Sequence, residues 1–341
     1  MKFNQQKKNT ILFYSIFSFL ILLIFAYLLL VNFPVKLGRE SIFVVTKGEN
    51  LKAIASRLKK DGYIKSDFLF QLFIKINGKE RVIKAGTYVF PPHLTIGEIA
   101  KIITGEEKAI NNFVIQEGET LKEIESRLKA EKIISPEADI FSWRIKDFLN
   151  EENKKFFEGA DVDNNLEGYF FPDSYNLPQG LKEEETIKIF LNNFFLKTGE
   201  IVDLAANQNE NNFYEILTAA SVIEKEVKIF EEKRMVADIF KRRLLTDMPL
   251  QADAAICYAQ FKSFKDCNLS LESFKIDSPY NLYKNKGYPP TPINNPGLES
   301  IKAVLNPLSN NYWYYLTDRS TGKTIFSKTY EEHQSARQKY L

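Results

Sequence analysis

The sequence predicts an α+β protein standing behind a membrane-spanning helix. Three observations lead there. A run of 21 residues, Ile11–Val31, carries no charge. A strand–helix unit occurs twice, once from Phe43 and again from Phe113, 70 residues further on. After it, short strand-like runs and amphipathic helices mix in no regular alternation, which is the pattern of an α+β chain.

The chain has 341 residues, enough for two or three domains. It is 44% hydrophobic and 26% charged, an ordinary globular balance that argues against disorder. The net charge of +2 comes from 46 basic and 44 acidic residues, with no long basic run beyond the N-terminus. Nucleic acid is therefore not an expected partner. The 28 Phe and 16 Tyr fit either thick cores or a cleft that stacks on sugars.

As a helix, Ile11–Val31 spans about 31 Å, the thickness of a bilayer core. Lys2, Lys7 and Lys8 precede it, so residues 1–10 should stay in the cytoplasm. The run is too long for a cleaved leader, and Asn32-Phe-Pro-Val-Lys-Leu offers no small-residue cleavage site. The expectation is an uncleaved, single-pass anchor in the cytoplasmic (inner) membrane, with the remaining chain outside the cytoplasm.

The repeat aligns Phe43-Val-Val-Thr-Lys-Gly-Glu-Asn-Leu-Lys-Ala-Ile-Ala-Ser-Arg-Leu-Lys59 with Phe113-Val-Ile-Gln-Glu-Gly-Glu-Thr-Leu-Lys-Glu-Ile-Glu-Ser-Arg-Leu-Lys129. Each copy reads as a short strand, a Gly-Glu turn and a helix with one apolar stripe: Leu51, Ile54 and Leu58, then Leu121, Ile124 and Leu128. Thr120 with Glu123 has capping-box spacing. The first copy continues into a helix from Phe68 to Ile76, a strand at Gly86–Phe90, and a helix capped by Thr95 and Glu98. Strand–helix–helix–strand in this size resembles a lysin-motif module, which implies glycan binding; a spacer is the other reading. The expected small domain covers 40–110. The second copy, 113–134, opens a domain over 111–341 and leads through Ser135-Pro136-Glu137 into a helical stretch to about Phe157.

Cys257 and Cys267 are either a local bridge or buried thiols. His93 and His333 are the only histidines, and there is no CxxC or Cys/His cluster, so a zinc site or a Cys–His nucleophile has little support. No metal or cofactor is expected.

The stretch Leu217–Glu226 reads as a helix. Ile216, Ala220, Ile223, Val227 and Phe230 recur at steps of three and four and fall on one arc. Glu224 falls inside that arc; Lys225 and Glu226 fall outside it. A carboxylate on an apolar face needs a partner or a raised pKa, and a raised pKa is what a general acid near neutral pH requires. Glu226 is left out of the expected mechanism.

Other runs stand on either side of this helix. Leu166-Glu-Gly-Tyr-Phe-Phe-Pro-Asp-Ser-Tyr175 reads as a strand leading into a turn, and Leu250-Gln-Ala-Asp253 follows a helix end. Ser278-Pro-Tyr-Asn-Leu-Tyr283 and Gly287-Tyr-Pro-Pro-Thr-Pro-Ile-Asn-Asn-Pro-Gly-Leu-Glu-Ser300 read as proline-fixed loops of the kind that carry binding residues. With Ala220-Ser-Val-Ile-Glu-Lys-Glu226, these five motifs in this order resemble the endolytic murein transglycosylases, the YceG-like (MltG) family. The terminal Tyr312-Trp-Tyr-Tyr-Leu316 and Phe326 to Leu341 fit that family's last strands and helix. The chain departs from the family's usual pattern at Asp253-Ala-Ala255, where Asp-Pro-Thr is common, and after Glu226.

The resemblance implies a mixed α/β catalytic domain over 111–341 with Glu224 as its catalytic residue. The implied reaction cleaves the β-1,4 bond between N-acetylmuramic acid and N-acetylglucosamine in nascent peptidoglycan, leaving 1,6-anhydro ends. No water is consumed, so one carboxyl group serves first as acid and then as base, unlike the carboxylate pair of ordinary glycosidases. Glu167, Tyr169, Asp173, Gln251, Asp253, Tyr280 and Asn281 are the candidates for substrate contact or for orienting Glu224. The implied partners are glycan strands, the membrane and peptidoglycan synthases, with a role in ending glycan elongation. Two alternatives remain: a muramidase that uses water and Asp253 or Asp173 as second carboxylate, and a non-catalytic scaffold that binds glycan and recruits synthases.

Overall fold

The structure, a computed structural model, describes residues 17, 18, 21, 22, 27, 31–36, 41–90, 93–105, 110–208, 212–261, 263–265, 267–318 and 320–340. The expected N-terminal segment 1–10 and most of the expected anchor lie outside them. Among the described residues, no helix is long and apolar enough to cross a membrane. The chain divides into two compact units, residues 1–112 with 174–178, and residues 113–173 with 179–341.

Unit 1 opens with β1 (Val35–Lys36) and β2 (Ser41–Val45). Helices α1 (Leu51–Lys60) and α2 (Asp67–Ile76) follow, then β3 (Gly86–Phe90), β4 (His93–Leu94) and α3 (Ile96–Thr104). The helices start where the sequence stops them from starting earlier. Asn50 and Ser66 accept from the amides of Ala53 and Leu69, and Thr95 forms a reciprocal capping box with Glu98. Strand β2 pairs antiparallel with β3, with Phe43 opposite Tyr88. Strand β6 (Ser174–Pro178) adds in parallel to β3, and β5 (Ile110–Val114) completes the order β2-β3-β6-β5. Ile54, Leu58, Phe70, Ile74 and Ile99 are fully buried beneath this sheet's Phe43, Tyr88 and Phe90. Each is worth about 1.5–3 kcal/mol of burial.

The second copy of the repeat opens unit 2 and reproduces the first bond for bond. Glu119 accepts from the amide of Gln116 at 2.8 Å as Glu49 does from Thr46 at 3.0 Å. Each then pairs with an arginine eight residues on: Arg127 at 2.7 Å and Arg57 at 2.9 Å. Each guanidinium lies over the phenylalanine that begins its copy, at 4.5 Å over Phe113 and 4.8 Å over Phe43. The helix of this copy is α4 (Leu121–Ala130), with the Thr120–Glu123 capping box expected from the sequence.

Beyond α4 the expected helix to Phe157 is absent. Three single 3₁₀ turns stand there instead, at Ile140–Ser142, Ile145–Asp147 and Lys154–Phe156. Asp147, Asn150 and Asn153 bond nearby backbone groups and so compete with helical bonds. Residues 166–173 are likewise irregular, and the strand comes after them rather than before.

The rest of unit 2 is mostly helical: α5 (Glu183–Gln208), α6 (Phe213–Glu226), α7 (Phe230–Leu245), α8 (Asp253–Phe261) and α9 (Leu298–Leu305). A hairpin of β7 (Tyr314–Thr317) and β8 (Thr324–Ser327) and helix α10 (Tyr330–Tyr340) close it. The longest helix, α5, is not among the elements read from the motifs. Helix α6 is not one-faced either. Every residue from Ile216 to Ile223 is buried, so it is the central helix of the unit. It ends at Glu226, and Val227 and Phe230 lie outside it. Cys257 and Cys267 are joined in a disulfide.

Gly168 shows how closely the motifs pack. It sits at φ +92°, and a Cβ there would lie 2.7 Å from Pro292. Gly180, at φ +77°, has open space around it. Gly168→Ala should therefore cost about 2–4 kcal/mol and Gly180→Ala only about 1 kcal/mol. Chemical denaturation of both variants measures this, and equal losses would show that Pro292 yields freely.

Candidate active site

Glu224 stands in the last turn of α6, where the fully buried part of the helix gives way to the surface. Its carboxylate is not left without partners. Oε1 accepts from Lys233 Nζ at 3.1 Å. Oε2 accepts from the Gly297 amide at 2.9 Å and from Ser300 Oγ at 2.7 Å. The Glu224 side chain is 8% exposed and that of Lys233 3%. Lys233 comes from α7, Gly297 is the N-cap of α9, and Ser300 lies in its first turn.

The loop before α9 is fastened to α6 one turn below Glu224. Ser221 Oγ accepts from the Ile293 amide at 3.0 Å, and Ser221 O accepts from Asn294 Nδ2 at 2.6 Å. Asn295 ties the same loop to two other segments. Its Nδ2 and its amide both donate to Glu119 O at 2.9 Å, and its Oδ1 accepts from the Phe170 amide at 2.8 Å. Residues 291–297 are all buried. These amides, in a loop expected to be of the kind that carries binding residues, hold Gly297 and the turn at 116–119 in place.

That turn brings Glu117 and Gly118 to the site. A Cβ on Gly118 would lie 3.4 Å from Glu224 Cγ, and one on Gly297 would lie 2.0 Å from Glu117 Oε1. A side chain at Gly118 would also press on the end of Lys225, and one at Gly297 would displace the Glu117 carboxylate. The Glu117 carboxyl is pushed up by burial and by the charges of Glu224 and Glu299, with Lys233 acting the other way. Lys225, over the Phe264 ring at 4.2 Å, has its ammonium pushed down by burial against the attraction of Glu123, Glu224 and Glu119.

Three of the sequence candidates are buried completely and take structural roles instead of sugar-facing ones. Glu167 Oε1 accepts from the Leu121 amide at 3.0 Å at the start of α4, and Glu167 also bonds Tyr258. Tyr169 packs its ring against Phe157 at 4.8 Å and Phe194 at 5.2 Å, deep in the core. Asn281 donates to the carbonyls of Phe274 and Ile276, both at 3.0 Å. Asp173 pairs with Lys197 at 3.0 Å and accepts from Asn193. Tyr280 is half-buried and bonds Thr291 Oγ1 at 2.7 Å. Gln251 presents an exposed side chain from a left-handed backbone, φ +56°, with its amide on Leu282 O.

Asp253 is brought to Glu226, not to Glu224. Its Oδ1 accepts from Tyr283 Oη at 2.5 Å, and its charge reaches Glu226. Glu226, expected off the apolar arc, is not solvated: it accepts from Tyr315 Oη at 3.1 Å under the terminal hairpin. Burial and the Asp253 charge push its carboxyl up to about 7, with the Tyr315 hydroxyl and Arg243 opposing. Lys233, Glu117 and Gly118 are thus the site residues to which the sequence reading gave no role in the site. Glu226, Gly297 and Ser300 lay in recognised motifs without a role assigned.

The YceG-like family model matches residues 43–339. A Bacillus subtilis (strain 168) protein named endolytic murein transglycosylase is 33% identical over 314 residues, 87% of this chain and 84% of its own length. A Streptococcus pneumoniae (strain ATCC BAA-255 / R6) protein of the same name is 29% identical, over 85% of this chain and 56% of its own length. The crystal structure of a yceG-like protein from Listeria monocytogenes matches with a TM-score of 0.60 at 28% identity, covering 87% of this chain and 99% of that one.

The raised Glu226 carboxyl carries a stability signature. Its folded pKa of about 7 exceeds the ordinary 4.5, so the native state holds a proton that the unfolded chain releases. Stability is then fully present below 4.5 and lost as pH rises through 7, by about 2–3 kcal/mol. Glu226→Gln should raise the melting temperature at pH 8 and leave it nearly unchanged at pH 4. A gain of equal size at both pH values would mean that Glu226 does not titrate in this way.

Proposed function

Because the chain belongs to the YceG-like family, we propose that it is a lytic transglycosylase acting within peptidoglycan strands. The bond cut is the β-1,4 linkage between N-acetylmuramic acid and N-acetylglucosamine, and the product carries a 1,6-anhydro end. Two relatives that match over most of this chain are named endolytic murein transglycosylases. Ile11–Val31 serves as a single-pass anchor in the cytoplasmic membrane. Tethering of that kind raises the enzyme's effective concentration beside newly made strands. Peptidoglycan synthases are the neighbours that such a position favours, and ending glycan elongation is the role. The small domain over 40–110 is proposed as a lysin-motif-like glycan contact.

The observation that carries this reading is the Glu224 carboxylate, held by three donors at the end of a buried helix. Fixed in this way it costs little reorganisation during reaction. Glu224 protonates the leaving glycosidic oxygen while the bond to the muramic acid C1 breaks. Then, as carboxylate, it takes the proton from the C6 hydroxyl as that oxygen bonds C1. The proton given is recovered, and no water enters. A muramidase that used Asp253 or Asp173 as its second carboxylate is less well served, because Asp253 is bonded to Tyr283 and Asp173 to Lys197.

Digestion of nascent, uncrosslinked glycan followed by mass spectrometry tests the proposal. Wild type should release anhydro-muramic ends, and Glu224→Gln should lower the rate by a factor of about 10²–10⁴. Reducing muramic acid ends would instead identify a muramidase. Full activity in Glu224→Gln would remove this residue from the mechanism, and an intact protein that never cleaves would favour a scaffold.

A further inference from the structure

The two copies of the repeat keep the same turn but differ at its tip. Gly48 and Gly118 both take the left-handed conformation, at φ +82° and +79°, and Glu49 and Glu119 close the same bonds. Between the strand and the glycine the first copy has Lys47 and the second has Glu117. The turn itself therefore does not require an acid at that position. In unit 2 the acid sits against the catalytic helix.

Glu117 reaches solvent along part of its side chain and is covered along the rest, and the turn that carries it is fixed on both sides. The Gly118 amide donates to Asn295 O at 2.8 Å, and Asn295 donates back to Glu119 O. The Glu117 carboxylate lies over Gly297, where a Cβ would come within 2.0 Å of Oε1. The amide of that same glycine donates to Glu224 Oε2 at 2.9 Å. One glycine thus separates the two carboxylates. On the far side of Glu224 stands Lys233, buried and paired with Oε1.

The charged groups that bear on Glu117 are Glu224 on α6, Lys233 on α7 and Glu299 on α9, while Lys225 touches the neighbouring glycine. Glu119, in the same turn, is already neutralised by Arg127. Lys233 brings a buried positive charge to the Glu224 carboxylate. A second carboxylate opposes that field.

We propose that Glu117 is a positioning residue of the catalytic site, set across Gly297 from Glu224 as a negative charge that offsets Lys233. The inference rests on the role given to Glu224 above. The second copy of the repeat in this view brings an acid to the active site where the first has Lys47, on a turn that keeps the same glycine and glutamate.

Two measurements on the full-length protein test it. The first is the pH profile of kcat/KM for cleavage of uncrosslinked glycan. In Glu117→Gln the limb that falls toward high pH should move down by about one unit. In Glu117→Lys, which restores the first copy's residue, it should move further. KM should change little in either. A folded Glu117→Gln protein with a profile superimposable on wild type overturns the proposal while leaving that for Glu224 intact. The second is a ¹³C carboxyl titration of Glu117 by NMR, in wild type and in Glu224→Gln. Its midpoint should fall when the Glu224 charge is removed, and an unchanged midpoint overturns the proposal. This second measurement needs neither turnover nor a folded Glu117 variant, so it stands even if the reaction is assigned differently.

Discussion

The ion pair between Glu224 and Lys233 is nearly sealed from water, with both side chains under a tenth exposed. Taking two such charges out of water costs several kcal/mol each, and only good geometry with further hydrogen bonds repays it. The structure around the pair meets that demand. Gly297 and Ser300 fill the second carboxylate oxygen, and both come from the start of α9. To deliver them, the loop before α9 must run at a fixed height along α6. Ser221 sets that height by bonding Ile293 and Asn294. Asn295 then locks the turn at 116–119 and the 166–171 segment onto the same loop. Motifs far apart in sequence thus converge because one buried carboxylate has to be satisfied.

This convergence explains why so many polar residues of the motifs are buried rather than exposed to a ligand. Glu167, Asn281, Asn294 and Asn295 have no measurable exposure. A buried amide bonded through both its side-chain atoms, as Asn295 is, fixes one arrangement of the chain and penalises others, since an alternative leaves a polar group unbonded. The aromatic residues beside them do the complementary work. Tyr169, Phe170 and Phe194 fill the space below without adding polar demands beyond a single hydroxyl. The motif is therefore a construction of the cleft wall more than a list of sugar contacts.

Much of this was legible in the chain, and the illegible part has a common cause. The repeat, the caps at Thr95 and Thr120, and the helix bearing Glu224 depend on residues three to eight apart, and each was read from local spacing. Lys233 lies only nine residues beyond Glu224, but a break between two helices intervenes and no periodicity crosses it. Glu117 lies more than a hundred residues away, in a segment whose repeat suggested a separate duty. Helix α5 carries buried Ile187, Phe190, Leu191 and Phe194, a spacing that local reading can find without any motif. The stretch at 140–156 misled in the opposite direction. Ile140, Ile145, Phe148 and Phe156 are buried, but Asx bonds from Asp147, Asn150 and Asn153 hold the stretch in single turns.

Glu224 and Glu226 show why sequence position alone could not rank the acids of this helix. They are two residues apart and face different surroundings. Glu224 meets a buried lysine, a backbone amide and a hydroxyl, all of them donors. Glu226 meets a tyrosine hydroxyl and the charge of Asp253, so that its carboxyl is pushed up to about 7. Unlike surroundings let one fold assign different duties to like residues. Here the difference comes from α7 on one side and the terminal hairpin on the other. Glu224 keeps the charge of Lys233 on one oxygen, and Glu117, across a single glycine, is a further carboxylate that the fold places beside it.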